Sequence, residues 1–164
     1  MISNGQLSLA KFLFITADDT NQLTTHNVQH FMEYLLERID FTRDVHFYTN
    51  TTMDTLDYSG TGLNTGSKVV FAAYGEKKRE LCKDVPQYLK ELQKFENPQL
   101  AMPGVIALQT NKFTTYEAAH KEMEILDNQL ATSNSQLSSV PLIIICDDSS
   151  FLAERIGNYL WAAS

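Results

Sequence analysis

Short apolar runs alternate with amphipathic stretches along the whole sequence. The runs are rich in aliphatic and aromatic side chains and predict strands at residues 12–15, 45–49, 68–73, 105–108 and 141–146. Between them, apolar residues recur at intervals of three and four, which is typical of helices with one buried face. These stretches predict helices over residues 24–40 and from residues 84, 114 and 149 onwards. The alternation predicts an α/β fold, with a mostly parallel or mixed sheet flanked by helices.

Polar residues at the predicted helix starts suggest where each helix begins. Thr24 or Thr25 would cap the first helix, because a side-chain oxygen there can accept a free backbone N–H. Two capping boxes would open the middle helices, Asp84 with Gln87 and Thr114 with Glu117. Ser149 or Ser150 would cap the last helix. Asn97-Pro98 and Pro103-Gly104 are typical of turns, so we expect them to bracket a loop.

The pattern fits one domain over residues 1–164, with a flexible polar linker near residues 132–139. A strand, a pair of aspartates and an amphipathic helix occur at residues 12–39 and again at 142–163, which suggests a weak internal duplication. The last predicted helix is still apolar at Leu160–Ala163, with no capping glycine. We therefore expect this domain to be part of a longer natural polypeptide.

Composition and charge narrow the class of protein. Of the 164 residues, 43% are hydrophobic and 20% charged, which indicates a folded chain. The net charge of -7 argues against binding to nucleic acid or to an anionic membrane. The apolar runs are far shorter than the roughly 20 residues of a membrane span, and the first residues do not resemble a secretory signal. We expect a cytoplasmic protein with two reduced cysteines, Cys82 and Cys146.

The glycine-rich segment from Gly60 to Lys68 invites comparison with a phosphate-binding loop. The comparison fails, because Ser67 precedes Lys68 and a strand-like run follows, whereas a P-loop opens a helix. A tight turn is the better interpretation. His26 and His30 lie four residues apart and could share zinc on one helix face, but no third ligand follows, so solvated histidines are the favoured interpretation.

Two aspartate pairs follow predicted strands, at Asp18-Asp19 and Asp147-Asp148. Ligands of α/β proteins often bind at such strand ends, and paired carboxylates there could hold Mg²⁺. Aspartates are also common in turns and at helix starts, and we favour that structural role. No nucleophile with a neighbouring base is recognisable, so the residues alone predict no active site.

Four segments taken together resemble the UbiD-type decarboxylases, which include 3-octaprenyl-4-hydroxybenzoate carboxy-lyase. They are residues 5–15 (GQLSLAKFLFI), residues 52–58 (TMDTLDY), residues 66–70 (GSKVV), and Cys146-Asp147-Asp148 with Leu160-Trp161. Each segment is a weak signal, and their order along an α/β pattern makes the resemblance fairly specific. Residues 76–139 show no such likeness. In the family, Leu-Trp is followed by Thr-Arg, whereas Ala162-Ala163 follows here.

The resemblance implies a role in a larger enzyme. UbiD-type enzymes decarboxylate aromatic or unsaturated acids, in ubiquinone- or menaquinone-type metabolism among others. They use prenylated FMN, a divalent metal and a monovalent cation. Their catalytic residues precede the C-terminal domain that this chain resembles. We therefore expect a chain that is inactive alone, docks on an upstream flavin-binding domain of the same polypeptide, and forms homo-oligomers.

The resemblance assigns a cofactor contact to one residue of this chain. Lys11 matches a family lysine near the flavin phosphate, and a lysine suits that role as a mobile point charge. The alternative is a lysine at a strand edge that extends its ammonium into water. For the chain as a whole, the alternative function is a stand-alone α/β module that binds a small ligand or a protein without catalysis.

Overall fold

The computed structural model describes residues 10–18, 23–24, 26–51, 66–132 and 137–163, with the backbone alone over 160–163. The strands are β1 (Phe12–Thr16), β2 (Val45–Thr51), β3 (Gly66–Ala73), β4 (Glu96–Met102), β5 (Val105–Gln109) and β6 (Leu142–Cys146). The helices are α1 (Val28–Arg38), α2 (Gln87–Lys90), α3 (Tyr116–Ala131), α4 (Ser149–Glu154) and α5 (Ile156–Ala163), with a 3-10 turn at Leu137–Ser139.

The strands form two mixed sheets of three strands each. In the first sheet, β3 lies in the centre, parallel to β1 and antiparallel to β2. In the second sheet, β5 lies in the centre, parallel to β6 and antiparallel to β4. The α/β class and the mixed sheet flanked by helices are therefore confirmed.

Helix α1 joins the two sheets through one apolar face. Its cap is Asn27, whose Oδ1 accepts a hydrogen bond from the backbone of His30 at 3.0 Å. The helical spacing places its buried side chains on one stripe, and these pack in a core that also contains residues of both sheets. They are Met32, Leu35 and Leu36, all at most 3% exposed. Burying such side chains stabilises the fold by roughly 1.5–3 kcal/mol each.

The second sheet is covered on both faces. Val105 and Ala107 face the core shared with α1, whereas Ile106 and Leu108 face a second core with α2 and α3. All four side chains are fully buried, which explains why β5 is a continuous apolar run without polar alternation. Gly104 makes the tight turn from β4 at φ +78°, where a Cβ would lie 2.7 Å from Leu81.

Several predicted boundaries are wrong, each for a local reason. The expected loop at Asn97-Pro98 is part of β4, because β4 is an edge strand and the register shifts at this point, so a proline needs no partner there. Asp84 caps no helix. Pro86 disfavours helical backbone at the residue before it, and α2 therefore begins only at Gln87.

The other caps lie close to the predicted ones. Thr115, one residue after the expected Thr114, accepts the hydrogen bond from Ala118. Asp148 caps α4, whereas the predicted cap Ser149 is buried and donates to the carbonyl of Asn97 at 2.6 Å. Asn27 replaces the predicted Thr24, and Thr25 lies outside the described residues.

The predicted duplication is not confirmed. The two sheets share a pattern in which a central strand has one parallel and one antiparallel neighbour. The parallel neighbour is the first strand of the chain in one sheet and the last in the other, so the segments do not repeat in order. Within the predicted linker, residues 133–136 lie outside the described part of the chain.

Candidate functional site

Each parallel strand pair opens into a cleft at its carboxyl end, where α/β folds usually bind ligands. The β1–β3 cleft has a volume of about 580 Å³ and the β5–β6 cleft about 430 Å³. The β1–β3 cleft is lined by Ile15, Thr16, Ala17, Arg43, Asp44, His46, Ala72, Ala73 and Tyr74. The β5–β6 cleft is lined by Thr110, Asn111, Phe113, Ala119, Glu122, Met123, Ile145, Cys146 and Asp147.

An ion pair dominates the charge of the β1–β3 cleft. The Nε of Arg43 donates to Asp44 Oδ1 at 2.6 Å, and the buried Asp44 also accepts from the backbone of Asp40. The hydrogen bond from Arg43 is the main reason why the pKa of Asp44 lies below its ordinary value. The pair neutralises itself and holds the turn between α1 and β2 in place. The cleft therefore offers a binding surface, with no nucleophile and base side by side among its lining residues.

Thr16 adds one polar atom that the protein leaves unused. Its Oγ1 is the one buried side-chain oxygen or nitrogen in the described part of the chain that has no hydrogen-bond partner. Buried hydroxyls usually find a partner because losing water costs free energy. Thr16 lies at the end of β1 and lines the β1–β3 cleft.

The β5–β6 cleft contains a thiol and a carboxylate with structural contacts. The Sγ of Cys146 donates to the carbonyl of Leu108 at 3.6 Å, and burial raises the pKa of this thiol. Burial likewise raises the pKa of Cys82. Both thiols are protonated at neutral pH and are therefore poor nucleophiles. Glu122 accepts a hydrogen bond from Thr110 at 3.3 Å, which ties α3 to the end of β5.

The aspartate pairs serve the backbone where the structure describes them. Asp18 accepts a hydrogen bond from the backbone of Leu23, and Asp148 accepts one from Phe151. Asp147 is exposed, and Asp19 lies outside the described residues. In the described ranges, no three His, Cys, Asp or Glu side chains come together as a metal site would need.

His26 precedes α1, which begins at Val28, so His26 and His30 do not share a helix, contrary to the prediction. His26 and His46 are exposed, and His120 lies 3.4 Å from Glu124 on the same helix. The glycine-rich segment is described only from Gly66 onwards, and that part begins β3. A strand at this point agrees with the rejection of a phosphate-binding loop.

Lys11 lies at the opposite end of β1 from the β1–β3 cleft. Five residue steps of about 3.3 Å separate it from Thr16, or roughly 16 Å. Its Nζ lies 5.8 Å from the ring centroid of Phe12, and its carbonyl accepts from Val69. Lys11 and the β1–β3 cleft therefore cannot contact one small ligand together.

Lys11 instead borders an exposed aromatic surface. Phe12 and Phe47 are both directly opposite Val69 in the first sheet and so lie on the same face of the sheet. Phe12 is 38% exposed and Phe47 is 77% exposed. We call Lys11, Phe12 and Phe47 the aromatic edge. An exposed apolar surface beside a lysine is typical of a binding surface for another protein domain.

Comparison with known proteins addresses the first half of the chain most directly. Residues 1–73 match the family model described as the 3-octaprenyl-4-hydroxybenzoate carboxy-lyase C-terminal domain. The resemblance to UbiD-type carboxy-lyases is confirmed. The UbiD match ends at the last residue of β3, and thus covers the entire first sheet, α1 and the aromatic edge. The fourth resembling segment, Cys146 to Trp161, lies beyond it and stays a prediction.

Three chlamydial relatives extend the comparison. A Chlamydia pneumoniae protein named as a subunit of 4-hydroxybenzoate decarboxylase is 42% identical over 81 residues, 49% of this chain and 13% of the relative. Proteins from Chlamydia muridarum and Chlamydia trachomatis are 31% and 29% identical over 98% of the chain. The chain spans 25% of the length of these two relatives. In the described ranges, no helix is long and apolar enough to cross a membrane.

Sequence reasoning missed the residues that shape the β1–β3 cleft. The pattern places Thr16 near the end of a strand and Arg43 and Asp44 between a helix and a strand, without marking any of them as site residues. The available signal was the adjacent Arg43-Asp44 pair directly before a run of β-forming residues. A charged pair at a strand start fits a structured turn, but it does not reveal which strand end lies opposite.

Proposed function

We propose that this chain is the C-terminal domain of a UbiD-like decarboxylase of aromatic or unsaturated acids. In this role it docks on the upstream flavin-binding domain, closes the cofactor site and supports homo-oligomer assembly, without supplying catalytic side chains. The observation that carries the proposal is the match of residues 1–73 to the carboxy-lyase C-terminal domain. The alignment of almost the whole chain with one quarter of longer relatives supports a place inside a larger polypeptide. We also propose a cytoplasmic location, which suits two free thiols.

The aromatic edge is the surface on which the flavin-binding domain would dock. Phe47 leaves 77% of its surface in water, and such exposure is costly unless a partner covers it. The same edge carries Lys11, the residue that the family resemblance links to the flavin phosphate. A flavin-binding domain that covers Phe12 and Phe47 would therefore bring its cofactor towards Lys11.

Prenylated FMN would contact this chain through Lys11. Lys11 is partly exposed and cationic, which suits an ion pair with a phosphate. The flavin would supply the chemistry of decarboxylation when bound, and Lys11 would hold its phosphate. The proposed divalent metal and monovalent cation would take their ligands mainly from the upstream domain.

The docking role can be tested in the full-length natural polypeptide with Phe47→Ser. Covering one phenylalanine contributes about 1–2 kcal/mol, so its loss should weaken docking by a factor of roughly 5 to 30. We expect faster amide hydrogen exchange in β1 and β2, together with a lower flavin content after purification.

The matched control is Phe113→Ser. Phe113 is 65% exposed but lies before α3, outside the UbiD match. It should leave exchange in β1 and β2 and the flavin content unchanged. Equal behaviour of Phe47→Ser and Phe113→Ser would exclude the aromatic edge as the docking surface.

A further inference from the structure

A large apolar cavity lies where the two sheets approach each other. Its volume is about 390 Å³. Helix α1, the loop after it, both sheets and α5 contribute its lining residues, which are Phe12, Phe14, Met32, Leu35, Leu36, Phe41, Phe71, Leu142, Ile144 and Tyr159. The edge strands β1 and β6 both line it and belong to different sheets. Its volume is similar to that of the two strand-end clefts, and its almost wholly apolar lining distinguishes it from them.

The lining offers water few hydrogen-bond partners. Every lining side chain is hydrophobic, and the tyrosine hydroxyl of Tyr159 is the one side-chain polar group among them. A buried water needs two to four polar partners, which this surface cannot provide. An apolar cavity of roughly 150 Å³ is enough to hold benzene, and this one is more than twice as large.

The aromatic lining favours an aromatic ligand. The rings of Phe14 and Phe71 stack with centroids 5.0 Å apart and planes 10° apart, and together with Phe12 and Phe41 they make the lining rich in aromatic rings. Phe12 and Phe41, 38% and 41% exposed, lie at the open side, while the other end is fully buried at Leu35. Aromatic ligands gain from offset or edge contacts with such rings beyond the area they bury.

The hydroxyl of Tyr159 is the one polar side-chain group of the lining. The residue is 3% exposed and lines the cavity, and its hydroxyl is not among the buried groups that lack a hydrogen-bond partner. A ligand with one hydroxyl or carbonyl group could form a hydrogen bond with this hydroxyl. We propose that this cavity is a binding site for a small, mainly aromatic molecule that carries one hydrogen-bonding group. The inference does not rest on the proposed decarboxylase role, although Phe12 belongs both to the open side of the cavity and to the aromatic edge.

The full chain can be titrated with 1-naphthol, a flat fluorescent probe with one hydroxyl, and with naphthalene for comparison. Ile144→Phe on β6 adds volume on the cavity side and should weaken binding of both probes at least tenfold. Ile143→Phe is the matched control, because Ile143 packs on the opposite face of the sheet against the second core. It should leave both affinities unchanged.

Tyr159→Phe keeps the ring and removes the hydroxyl. It should weaken 1-naphthol binding severalfold and leave naphthalene binding unchanged, and it serves as the decisive variant if Ile144→Phe does not fold. The proposal is overturned if the unmodified chain binds neither probe. It is also overturned if folded Ile144→Phe binds as tightly as the unmodified chain, or if Tyr159→Phe affects both probes equally.

Discussion

Lys11 connects the sequence of this chain to the proposed cofactor through one side chain. In the full-length polypeptide, Lys11→Ala should weaken flavin binding about tenfold, because a hydrogen bond to a charged group contributes roughly 1.5–3 kcal/mol. The domain itself should remain folded, since Lys11 is only partly buried. Flavin retention during dialysis, followed by absorbance, measures the effect.

Two further variants test whether the weaker flavin binding comes from the loss of the Lys11 charge. Lys90→Ala removes an exposed lysine of α2, outside the UbiD match, and should leave flavin retention unchanged. Lys11→Arg keeps the charge and should retain most of the binding. Unchanged flavin retention in Lys11→Ala would remove the cofactor role and leave Lys11 as a strand-edge lysine.

Single residues were the part of this molecule that sequence reasoning described least well. The cap of α4 was predicted one or two residues too late, at Ser149 or Ser150, although capping depends only on neighbours a few positions away. The unused hydroxyl of Thr16 could not be recognised, because its burial depends on how distant strands and loops pack around the end of β1. The aromatic edge could not be predicted for the same reason, since Phe12 and Phe47 become neighbours only because both lie opposite Val69 of β3.

At the scale of elements, the cap of α4 gives a local test. Asp148→Ala removes the hydrogen bond to Phe151, 2.9 Å long, and should lower the free energy of unfolding by about 1 kcal/mol. The helix lies against β4, where Ser149 donates to Asn97, so loosening the cap also strains a packed contact. Urea unfolding of the purified chain measures the change.

Asp147→Ala is the neighbouring control. Asp147 is exposed and caps no helix, so we expect its replacement to change the free energy of unfolding by a few tenths of a kcal/mol at most. If the two variants lose the same stability, the cap contributes nothing specific and the loss comes from the removal of charge.

Elements were predicted well where burial alone decides them. The runs at β5 and β6 are apolar because both faces of the second sheet are covered, and such runs stand out in a sequence. The edge strand β4 was missed, because Asn97 and Pro98 are turn residues in most contexts and only the register shift accommodates them. The division into two sheets has no signature in the sequence, since it depends on which edge strands remain unpaired.

For the molecule as a whole, two carboxylates control stability in acid. The pKa of Asp44 is lowered mainly by its hydrogen bond with Arg43, and the pKa of Asp40 is lowered well below its usual range, mainly by the Thr42 hydroxyl. Their contribution is complete above the ordinary value of 3.8 and is lost as the pH falls below it. The free energy of unfolding should therefore decrease as the pH falls below about 4.

Asp44→Asn separates this effect from general acid sensitivity. It removes the charge, so the chain should be less stable by roughly 1 kcal/mol at pH 7 and show a shallower fall in acid. Asp147→Asn, at an exposed position, should keep the original pH profile. Parallel profiles for Asp44→Asn and the unmodified chain would show that the Arg43 pair does not stabilise the fold.

The UbiD match ends at the boundary between the two sheets. The match ends with β3, so the first sheet lies inside it and the second sheet lies outside it. Helix α1 belongs to the matched part, yet its apolar stripe is buried in a core shared with β5 and α4. The second sheet therefore completes the burial of a helix that the matched part supplies.

Within the described residues, β1 and β6 are edge strands of different sheets, and this has a mechanical consequence. Backbone ladders resist sliding because each step breaks directional hydrogen bonds, whereas contacts between carbon atoms are individually weak and depend little on direction. The two sheets meet through side chains such as Phe14 and Ile144, without belonging to a common ladder. Pressure on the aromatic edge would therefore shift the first sheet slightly against the second. Only side-chain contacts between the sheets would resist this movement.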